Sequence, residues 1–358
     1  FPFSEVRKQM GSAVGLLGVA AALLSGCGPP SSRFADGVVD VTEVRSRLMR
    51  HAFRERHLPT RRADRVVGSV ENTAFAALPN LKRVDQLEFD LDFGAVARVL
   101  YFVPSIGNDG LVVHNLGHWA EPSSSLDVIG YWLDQGRAVL IHTMPFYSPN
   151  TTDLTLEDGG SQIALNGNHD SLEAAEDAGL NTFPLFFEPL ARALNEVLAE
   201  NRHEPIVMTG LSGGGWTTDI YSALDPRIEA SYSIAGSLPV ALRDNRPRSQ
   251  GGVDSWDFEQ KPDRPIFGVA TYEDFYFLSA LGDGQRHRQV LLEFDDCCYR
   301  WSGRNEGIRT YETRVQQRLL SQDDGGDFRI IYMPDETTHR VSTATLDAIS
   351  EDLEFDPS

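Results

Sequence analysis

The stretch Met208-Thr-Gly-Leu-Ser-Gly-Gly-Gly-Trp216 contains the pattern Gly-x-Ser-x-Gly, with Ser212 at its centre. Residues 205–209 form a short apolar run before it and predict a buried strand. Residues 216–224 after it have helical spacing and end at the helix-stopping pair Asp225-Pro226. A serine on a tight, glycine-flanked turn between a strand and a helix is held in position for nucleophilic attack. The segment therefore predicts a nucleophile, the alternative being an ordinary serine in a glycine-rich turn.

The overall composition fits a single large domain and argues against one class of partner. The chain has 358 residues, of which 41% are hydrophobic, enough to bury one large core. Its 52 acidic residues outnumber the 32 basic ones, which gives a formal net charge of −20. Because nucleic acids carry a dense negative charge, we expect no nucleic-acid partner for a protein this acidic.

The first residues have the features of an export signal. Arg7 and Lys8 supply a positive end, and residues 11–24 form an apolar stretch too short to span a bilayer. The following Leu24-Ser-Gly-Cys27 resembles the lipobox of bacterial lipoproteins, whose cysteine carries lipid and becomes the mature N-terminus. We therefore expect a signal peptide over residues 1–26 and an extracytoplasmic protein anchored through Cys27 to the cell membrane or the outer membrane. An ordinary secretory peptide with a coincidental cysteine is the alternative.

The next segment, residues 27–80, is predicted to be a short tether followed by an arginine-rich stretch. Residues 42–67 have helix-like character and stand out as basic in an acidic protein. Beside a lipid anchor, such a stretch would be able to contact anionic headgroups. Pairing of these arginines with the acidic body of the protein is the favoured interpretation.

From about residue 81 onward, strand-like runs alternate with helical patterns. Residues 87–93 and 96–103 flank Gly94 and predict an antiparallel hairpin at a sheet edge. Residues 143–168 predict a long polar loop at the rim of a site, and residues 240–265 predict an insertion. The alternation indicates a mostly parallel sheet with helices on both faces. Residues 111–118 are predicted to be a strand and its exit loop. The remaining predicted strands are 138–142, 205–209, 230–235, 289–294 and 328–333, with helices at 124–135, 187–200, 216–224 and 308–321.

These features resemble the α/β-hydrolase superfamily over roughly residues 81–353, within a predicted catalytic domain of residues 81–358. The resemblance implies a catalytic triad in the chain order nucleophile, acid, histidine. Only His287 and His339 follow Ser212 in the sequence. His339 comes just after the last predicted strand, where the superfamily has its base. His287 lies in a charged stretch and is predicted to be on the surface, so the resemblance assigns the base to His339.

Three aspartates compete for the role of the acid. Asp295 and Asp296 end the run 289–294, which matches the superfamily's acid position if that run is the penultimate strand. Asp274 is the alternative, because residues 265–270 are also apolar and would deliver it if they formed a strand. The helical pattern that separates Asp295 from the last strand favours Asp295, and the other two remain open.

The same resemblance implies two backbone amides that stabilise an oxyanion. One belongs to Gly213, directly after the nucleophile. The other comes from the loop 114–119, which follows the third strand of the superfamily's sheet and contains Gly117. This loop differs from the glycine-rich form of many esterases, so Leu116, Gly117 and His118 all stay candidates.

The cysteines and histidines predict no metal site. With Cys27 assigned to lipid, only the adjacent Cys297 and Cys298 remain. In an oxidising compartment they can close into a disulfide, and two buried free thiols are the equally weighted alternative. No spacing resembles a zinc site, and no metal or organic cofactor is expected. His169-Asp170 precedes the nucleophile in the chain and is interpreted as a loop turn or helix cap.

The predicted function is a lipid-anchored serine hydrolase that cleaves carboxylic esters, in small molecules or polymers, through an acyl-enzyme. A peptidase or an acyltransferase with the same triad is the alternative within this fold. A surface lipoprotein that has the fold but only binds ligands is the alternative from another class.

Overall fold

The computed structural model describes residues 40–107, 110–158, 161–243, 256–297, 306–322 and 325–354. In these residues a nine-stranded sheet has the spatial order β1-β2-β3-β5-β4-β8-β9-β10-β11, and β6 and β7 form a separate hairpin. The strands are β1 Arg65–Val67, β2 Leu81–Asp90, β3 Val96–Pro104, β4 Leu111–Asn115, β5 Ala138–His142, β6 Asp153–Asp158, β7 Ser161–Asn166, β8 Ile206–Leu211, β9 Ala230–Ile234, β10 Arg286–Leu292 and β11 Asp327–Met333.

The sheet is antiparallel at one side and parallel over the rest. β1, β2 and β3 pair antiparallel, as β3 and β5 do. The predicted hairpin is confirmed as β2 and β3, but the edge strand of the sheet is β1, from the segment predicted to be helix-like. From β5 through β4, β8, β9 and β10 to β11, every neighbouring pair is parallel. The carboxyl ends of these six strands therefore lie at one edge, which is where open α/β sheets carry their sites.

The described residues contain eight α-helices. They are α1 Val41–Phe53, α2 Leu126–Asp134, α3 Ser171–Asp177, α4 Pro184–Glu200, α5 Gly213–Leu224, α6 Tyr272–Ala280, α7 Glu306–Leu320 and α8 Thr343–Glu354. α1, α4, α5, α6 and α7 pack against one another in series, while α2 packs against α8. In α7 the buried residues recur at helical spacing, as Ile308, Tyr311, Val315 and Leu319. The predicted alternation of strands and helices is confirmed.

The arginine-rich segment before residue 81 packs onto this body. α1 buries Val44, Leu48 and Ala52 along one face, and Arg45 donates hydrogen bonds to the carbonyl oxygens of Ala223 and Leu278. Further arginines of the segment pair with acidic residues, as Arg54 does with Asp92, 2.6 Å apart, and Arg65 with Glu88, 2.8 Å apart. These contacts agree with the favoured interpretation, in which the arginines pair with the acidic body.

One predicted segment differs from the structure, and one alternative is excluded by it. The segment 143–168 is not a plain loop, because it contains the antiparallel hairpin of β6 and β7, whose apolar residues alternate. The run 265–270 is not a strand, since Pro265–Gly268 forms a 3₁₀ turn that leads into α6. In the described part of the chain, no helix is both long and apolar enough to cross a membrane.

Candidate active site

Ser212 occupies a sharp turn between β8 and α5, at the carboxyl edge of the sheet. Its backbone has φ 59° and ψ −125°, a conformation that side-chain-bearing residues rarely adopt and that well-packed surroundings must maintain. The Ser212 amide donates to the Ile234 carbonyl oxygen of the neighbouring strand. A Cβ added to Gly210 would lie 2.2 Å from the Gly214 oxygen, and one added to Gly214 would lie 2.0 Å from the Asn115 oxygen. Backbone therefore crowds both sides of the turn, which explains the flanking glycines.

His339 and Asp295 form a hydrogen-bonded pair at the same edge. Nδ1 of His339 lies 2.8 Å from Oδ2 of Asp295, whose side chain is fully buried. The loops after β10 and β11 are joined by two backbone bonds, from the Glu293 amide to the Met333 oxygen and from the Phe294 amide to the Glu336 oxygen. Nε2 of His339 is buried and has no hydrogen-bond partner among the described residues. This geometry orients an imidazole whose second nitrogen remains available for proton transfer.

The two competing aspartates make other contacts. Asp296 accepts a hydrogen bond from the backbone amide of His339, at 2.9 Å, and so supports the histidine loop. Asp274 is the third residue of α6, where it forms a capping box with Thr271, and it lies 3.1 Å from Arg318. Of the three candidates, Asp295 is therefore the one that bonds the imidazole, and Asp274 stabilises a helix N-terminus.

Cys297, which follows Asp295 and Asp296 in the sequence, is part of a disulfide. The Cys297 amide donates to Oδ1 of Asp295 at 2.7 Å, so both oxygens of this carboxylate have partners. Cys297 is disulfide-bonded. Cys298 and Cys27 lie outside the described residues, so their predicted roles stay predictions.

The predicted oxyanion loop lies directly against the nucleophile turn. A Cβ added to Gly117 would be 2.8 Å from the Leu211 carbonyl oxygen and 3.1 Å from Cβ of Ser212, so the backbone would have to shift to admit any side chain there. The Leu116 amide donates to the His142 oxygen at 2.9 Å, so Leu116 is not available as an oxyanion donor. Among the described residues, the amides of Gly117 and His118 have no acceptor. The prediction is corrected to these two amides together with that of Gly213, an N-terminal helix amide without an intrahelical acceptor.

His287 is buried, and its predicted surface location is wrong. Its side chain is fully enclosed, with Nδ1 2.7 Å from the hydroxyl of Ser231 and Nε2 3.1 Å from Oδ1 of Asp219 on α5. The ring also stacks on Tyr276. The charged stretch does not mark a surface here, because both faces of this strand are covered and Arg288 is itself buried beside Asp327 and Asp352.

A second group of titratable side chains lies beside the nucleophile turn, and no sequence pattern predicted it. Nε2 of His118 is 3.2 Å from Nδ1 of His169 and 3.1 Å from Oε1 of Glu259, while Oε2 of Glu259 is 3.2 Å from Nδ1 of His169. Burial acts to lower the pKa of His118, but the negative charge of Glu259 outweighs it and raises that pKa to about 9. The three residues are capable of holding a metal ion.

The ring of His118 connects this group to the nucleophile turn. A Cβ added to Gly213 would lie 2.7 Å from Cε1 and Nδ1 of His118 and 2.6 Å from Sδ of Met144. His169 was interpreted as part of a loop turn or helix cap, and it does precede α3. Its imidazole, however, is buried against Glu259 rather than exposed as a cap. Only the fold brings together residues so far apart in the sequence.

Several aromatic side chains lie on or near the predicted oxyanion loop. Trp119, directly after His118, is 77% exposed, and its ring packs edge-on against Tyr147 with centroids 5.4 Å apart. The Arg243 guanidinium lies over the ring of Trp256, 3.7 Å from its centroid. Trp216, by contrast, is fully buried against Phe186 and belongs to the core. Trp119 is thus an exposed aromatic ring at the end of the predicted oxyanion loop.

Comparison with known proteins identifies the architecture. No model of a protein family matches the sequence, and no curated protein matches it. The structure is similar to acetyl xylan esterase 1 from Thermoanaerobacterium sp., at 14% identity and a TM-score of 0.56, over 87% of this chain and 92% of that one. It is also similar to an acetyl xylan esterase from Paenibacillus sp. R4, at 14% identity and a TM-score of 0.52, over 89% and 95% of the two chains. A methylesterase matches at 13% identity and a TM-score of 0.55, over 87% of this chain and 62% of that one. The strand order, the serine turn after β8 and these neighbours identify the chain as having the α/β-hydrolase fold.

Proposed function

We propose that this protein is a carboxylic ester hydrolase with Ser212 as nucleophile, His339 as general base and Asp295 as the acid that orients the histidine. One observation carries the proposal. Ser212 is held in its turn at the carboxyl edge of the sheet, and His339 lies at the same edge. Nδ1 of His339 is hydrogen-bonded to Asp295, while its Nε2 is buried and has no hydrogen-bond partner among the described residues. A structural histidine buried in this way would be expected to bond through both nitrogens. An unused, oriented ring nitrogen is what a proton-transfer role requires.

The reaction follows from these positions. His339 removes the proton of the Ser212 hydroxyl as the oxygen attacks the ester carbonyl, and the negative charge moves to the carbonyl oxygen. The amide of Gly213, with that of Gly117 or His118, donates hydrogen bonds to this oxygen. His339 then gives its proton to the leaving alcohol, and an acyl group remains on Ser212. Water attacks the acyl-enzyme by the same route and releases the acid.

The structural neighbours favour esters over amides as the bond that is cleaved. Three of the similar structures described above have TM-scores greater than 0.5, and they are two acetyl xylan esterases and one methylesterase. Their identities of 13–14% support the fold alone, so the substrate is a proposal for this chain. We propose a small acyl ester, carried either by a small molecule or by a polymer such as an acetylated sugar chain.

A substrate panel tests this proposal. Wild-type protein is assayed with short and long acyl esters, acetylated sugars, methyl esters and peptide amides, and we expect the short esters to be cleaved fastest. Ser212→Ala should lower kcat by about 10⁴-fold or more, because only binding and the oxyanion donors remain. The matched control Ser321→Ala, at an exposed serine, should be unchanged. Cleavage of amides but not esters would reassign the enzyme to a peptidase, and no turnover of any member would favour a binding protein.

We propose in addition that the protein is exported and anchored to a membrane by lipid on Cys27. The proposal is supported by the positive end, the short apolar core and the lipobox-like Leu24-Ser-Gly-Cys27 described above. The body of the protein is strongly acidic and is repelled by anionic lipids, so the acyl chains would supply the binding.

Intact-mass analysis of the native protein tests the anchor. The expected result is an N-terminus at Cys27 that carries lipid, with the protein in the detergent phase of a membrane fraction. Cys27→Ser should leave an active enzyme that is released or unprocessed. An unmodified N-terminus at another residue would overturn the lipid anchor and leave the hydrolase proposal intact.

A further inference from the structure

Beside the nucleophile turn, three segments far apart in the sequence each contribute one inward-facing side chain. His118 comes from the oxyanion loop, His169 from the turn after β7, and Glu259 from the insertion before α6. His169 and Glu259 are 3% and 1% exposed, and His118 is largely enclosed. We propose that these three residues bind a zinc ion and that the ion fixes the oxyanion loop to the two other segments.

The distances between the ligand atoms fit a zinc coordination sphere. Zinc binds imidazole nitrogen and carboxylate oxygen at about 2.0–2.1 Å in a tetrahedron, so neighbouring ligand atoms are about 3.3 Å apart. Here Nε2 of His118 and Nδ1 of His169 are 3.2 Å apart, and Glu259 presents one oxygen 3.1 Å from the former and the other 3.2 Å from the latter. The two ring nitrogens thus have the spacing of two tetrahedral corners, and one oxygen of Glu259 would supply the third, since the three ligand atoms all lie within 4.8 Å of one another; the fourth corner is left for water.

The outer nitrogens of the two rings have the contacts that zinc-bound histidines usually make. Nε2 of His169 is 3.0 Å from the Pro145 carbonyl oxygen, to which it must donate, so Nδ1 of a neutral ring carries the lone pair. Nδ1 of His118 has the carboxylate of Asp257 at 3.7 Å. A carbonyl or a carboxylate behind each ring fixes the tautomer and increases the basicity of the ligand nitrogen. Zinc would replace the proton that otherwise lies between the two facing ring nitrogens.

The site would act by positioning rather than by contact with the substrate. The ring of His118 packs against Gly213, whose amide is a proposed oxyanion donor, and the amide of His118 is another candidate. An ion held by Glu259 and His169 would fix this ring, and with it the oxyanion loop, against the turn. Loss of the metal should therefore lower kcat more than it raises KM.

Zinc binding is tested on the full-length protein. The purified protein is stripped with a chelator and titrated with zinc alone against a chromophoric competitor. We expect one ion per chain and a rise in melting temperature with zinc concentration. Glu259→Gln and His169→Gln should each weaken binding by about 100-fold or more, since each removes a direct ligand. The matched control His203→Gln, at a buried histidine outside the cluster, should bind zinc as the wild type does.

Two further measurements keep the test independent of folding and of the catalytic proposal. Cobalt substituted into the wild-type protein should give the intense visible absorption of a tetrahedral site. Ser212→Ala should bind zinc unchanged, because the serine is not a ligand, so failure of the ester-hydrolase proposal would not remove the site. Absence of stoichiometric zinc binding by the wild-type protein, with no change in melting temperature, would overturn the proposal and leave the three residues as a proton-mediated ion pair.

Discussion

Nδ1 of His339 lies 2.8 Å from Oδ2 of Asp295, and this bond joins the loops that follow the last two strands of the sheet. The same carboxylate accepts a second hydrogen bond from the Cys297 amide through Oδ1. Asp295 is thus held from two sides and can present only one oxygen to the imidazole. This arrangement sets the tautomer in which Nε2 is free to accept a proton.

Two aspartate substitutions separate the role of the acid from that of a buried structural carboxylate. Asp295→Asn should reduce kcat by about 10⁴-fold by favouring the wrong tautomer of His339. Asp274→Asn should keep most of the activity but lower the free energy of unfolding by about 3 kcal/mol, because it removes the buried negative charge 3.1 Å from Arg318 and weakens the helix cap. Steady-state kinetics and urea unfolding of both variants check this. The reverse ranking of activities would move the acid to Asp274.

Crowding at the nucleophile turn predicts a sharp difference between two glycines. Gly213→Ala would put a methyl group 2.7 Å from the His118 ring and 2.6 Å from Sδ of Met144, so these side chains, which pack against the nucleophile turn, have to move. We expect a loss of about 10² or more in kcat, comparable to removal of one oxyanion donor. Gly268→Ala is the matched control, since nothing lies within 4 Å of the added Cβ there. Equal activity of the two variants would contradict the assignment of this region to the oxyanion site.

Two buried histidines predict that the protein loses stability in mild acid. Burial lowers the pKa of His114 to about 4 and that of His142 to about 3. In the unfolded chain both have a pKa near 6.5, so above that pH neither state takes up a proton and no dependence arises. As the pH falls below about 6.5, the unfolded chain binds protons that the folded protein does not. The free energy of unfolding therefore decreases, down to about pH 4 for His114 and about pH 3 for His142.

Urea unfolding at several pH values measures this dependence. Between about pH 6 and 4, His114→Gln should reduce the slope of the free energy of unfolding against pH by roughly 1.4 kcal/mol per pH unit, the value for one proton. An identical slope in wild type and His114→Gln would show that the buried imidazole takes up its proton without opposition from the fold.

Local patterns in the sequence were sufficient to predict the sheet and the nucleophile turn. The run before Ser212, the glycines around it and the helix after it are contiguous, so neighbouring residues determine this structure. The order of the elements was likewise predictable, because helices and strands alternate with clear periods. The β6–β7 hairpin was missed because its apolar alternation is short and lies in an otherwise polar segment.

Contacts between distant residues could not be predicted in the same way. The choice between Asp274 and the pair Asp295 and Asp296 depended on whether residues 265–270 form a strand, and Pro265 starts a 3₁₀ turn there instead. His118 and His169 are 51 positions apart, and His169 and Glu259 are 90 apart. No sequence spacing of metal ligands covers such separations, so their cluster appears only in the folded chain.

Covalent labelling of the nucleophile tests the central claim most directly. A fluorophosphonate reacts with a serine only where a base activates the hydroxyl and an oxyanion site binds the phosphonyl oxygen. Intact-mass measurement should show one label per chain, and peptide mapping should locate it on Ser212. Labelling should be lost in Ser212→Ala, strongly slowed in His339→Ala and unchanged in Ser321→Ala. A wild-type protein that is folded but not labelled, or labelled at another serine, would contradict the account.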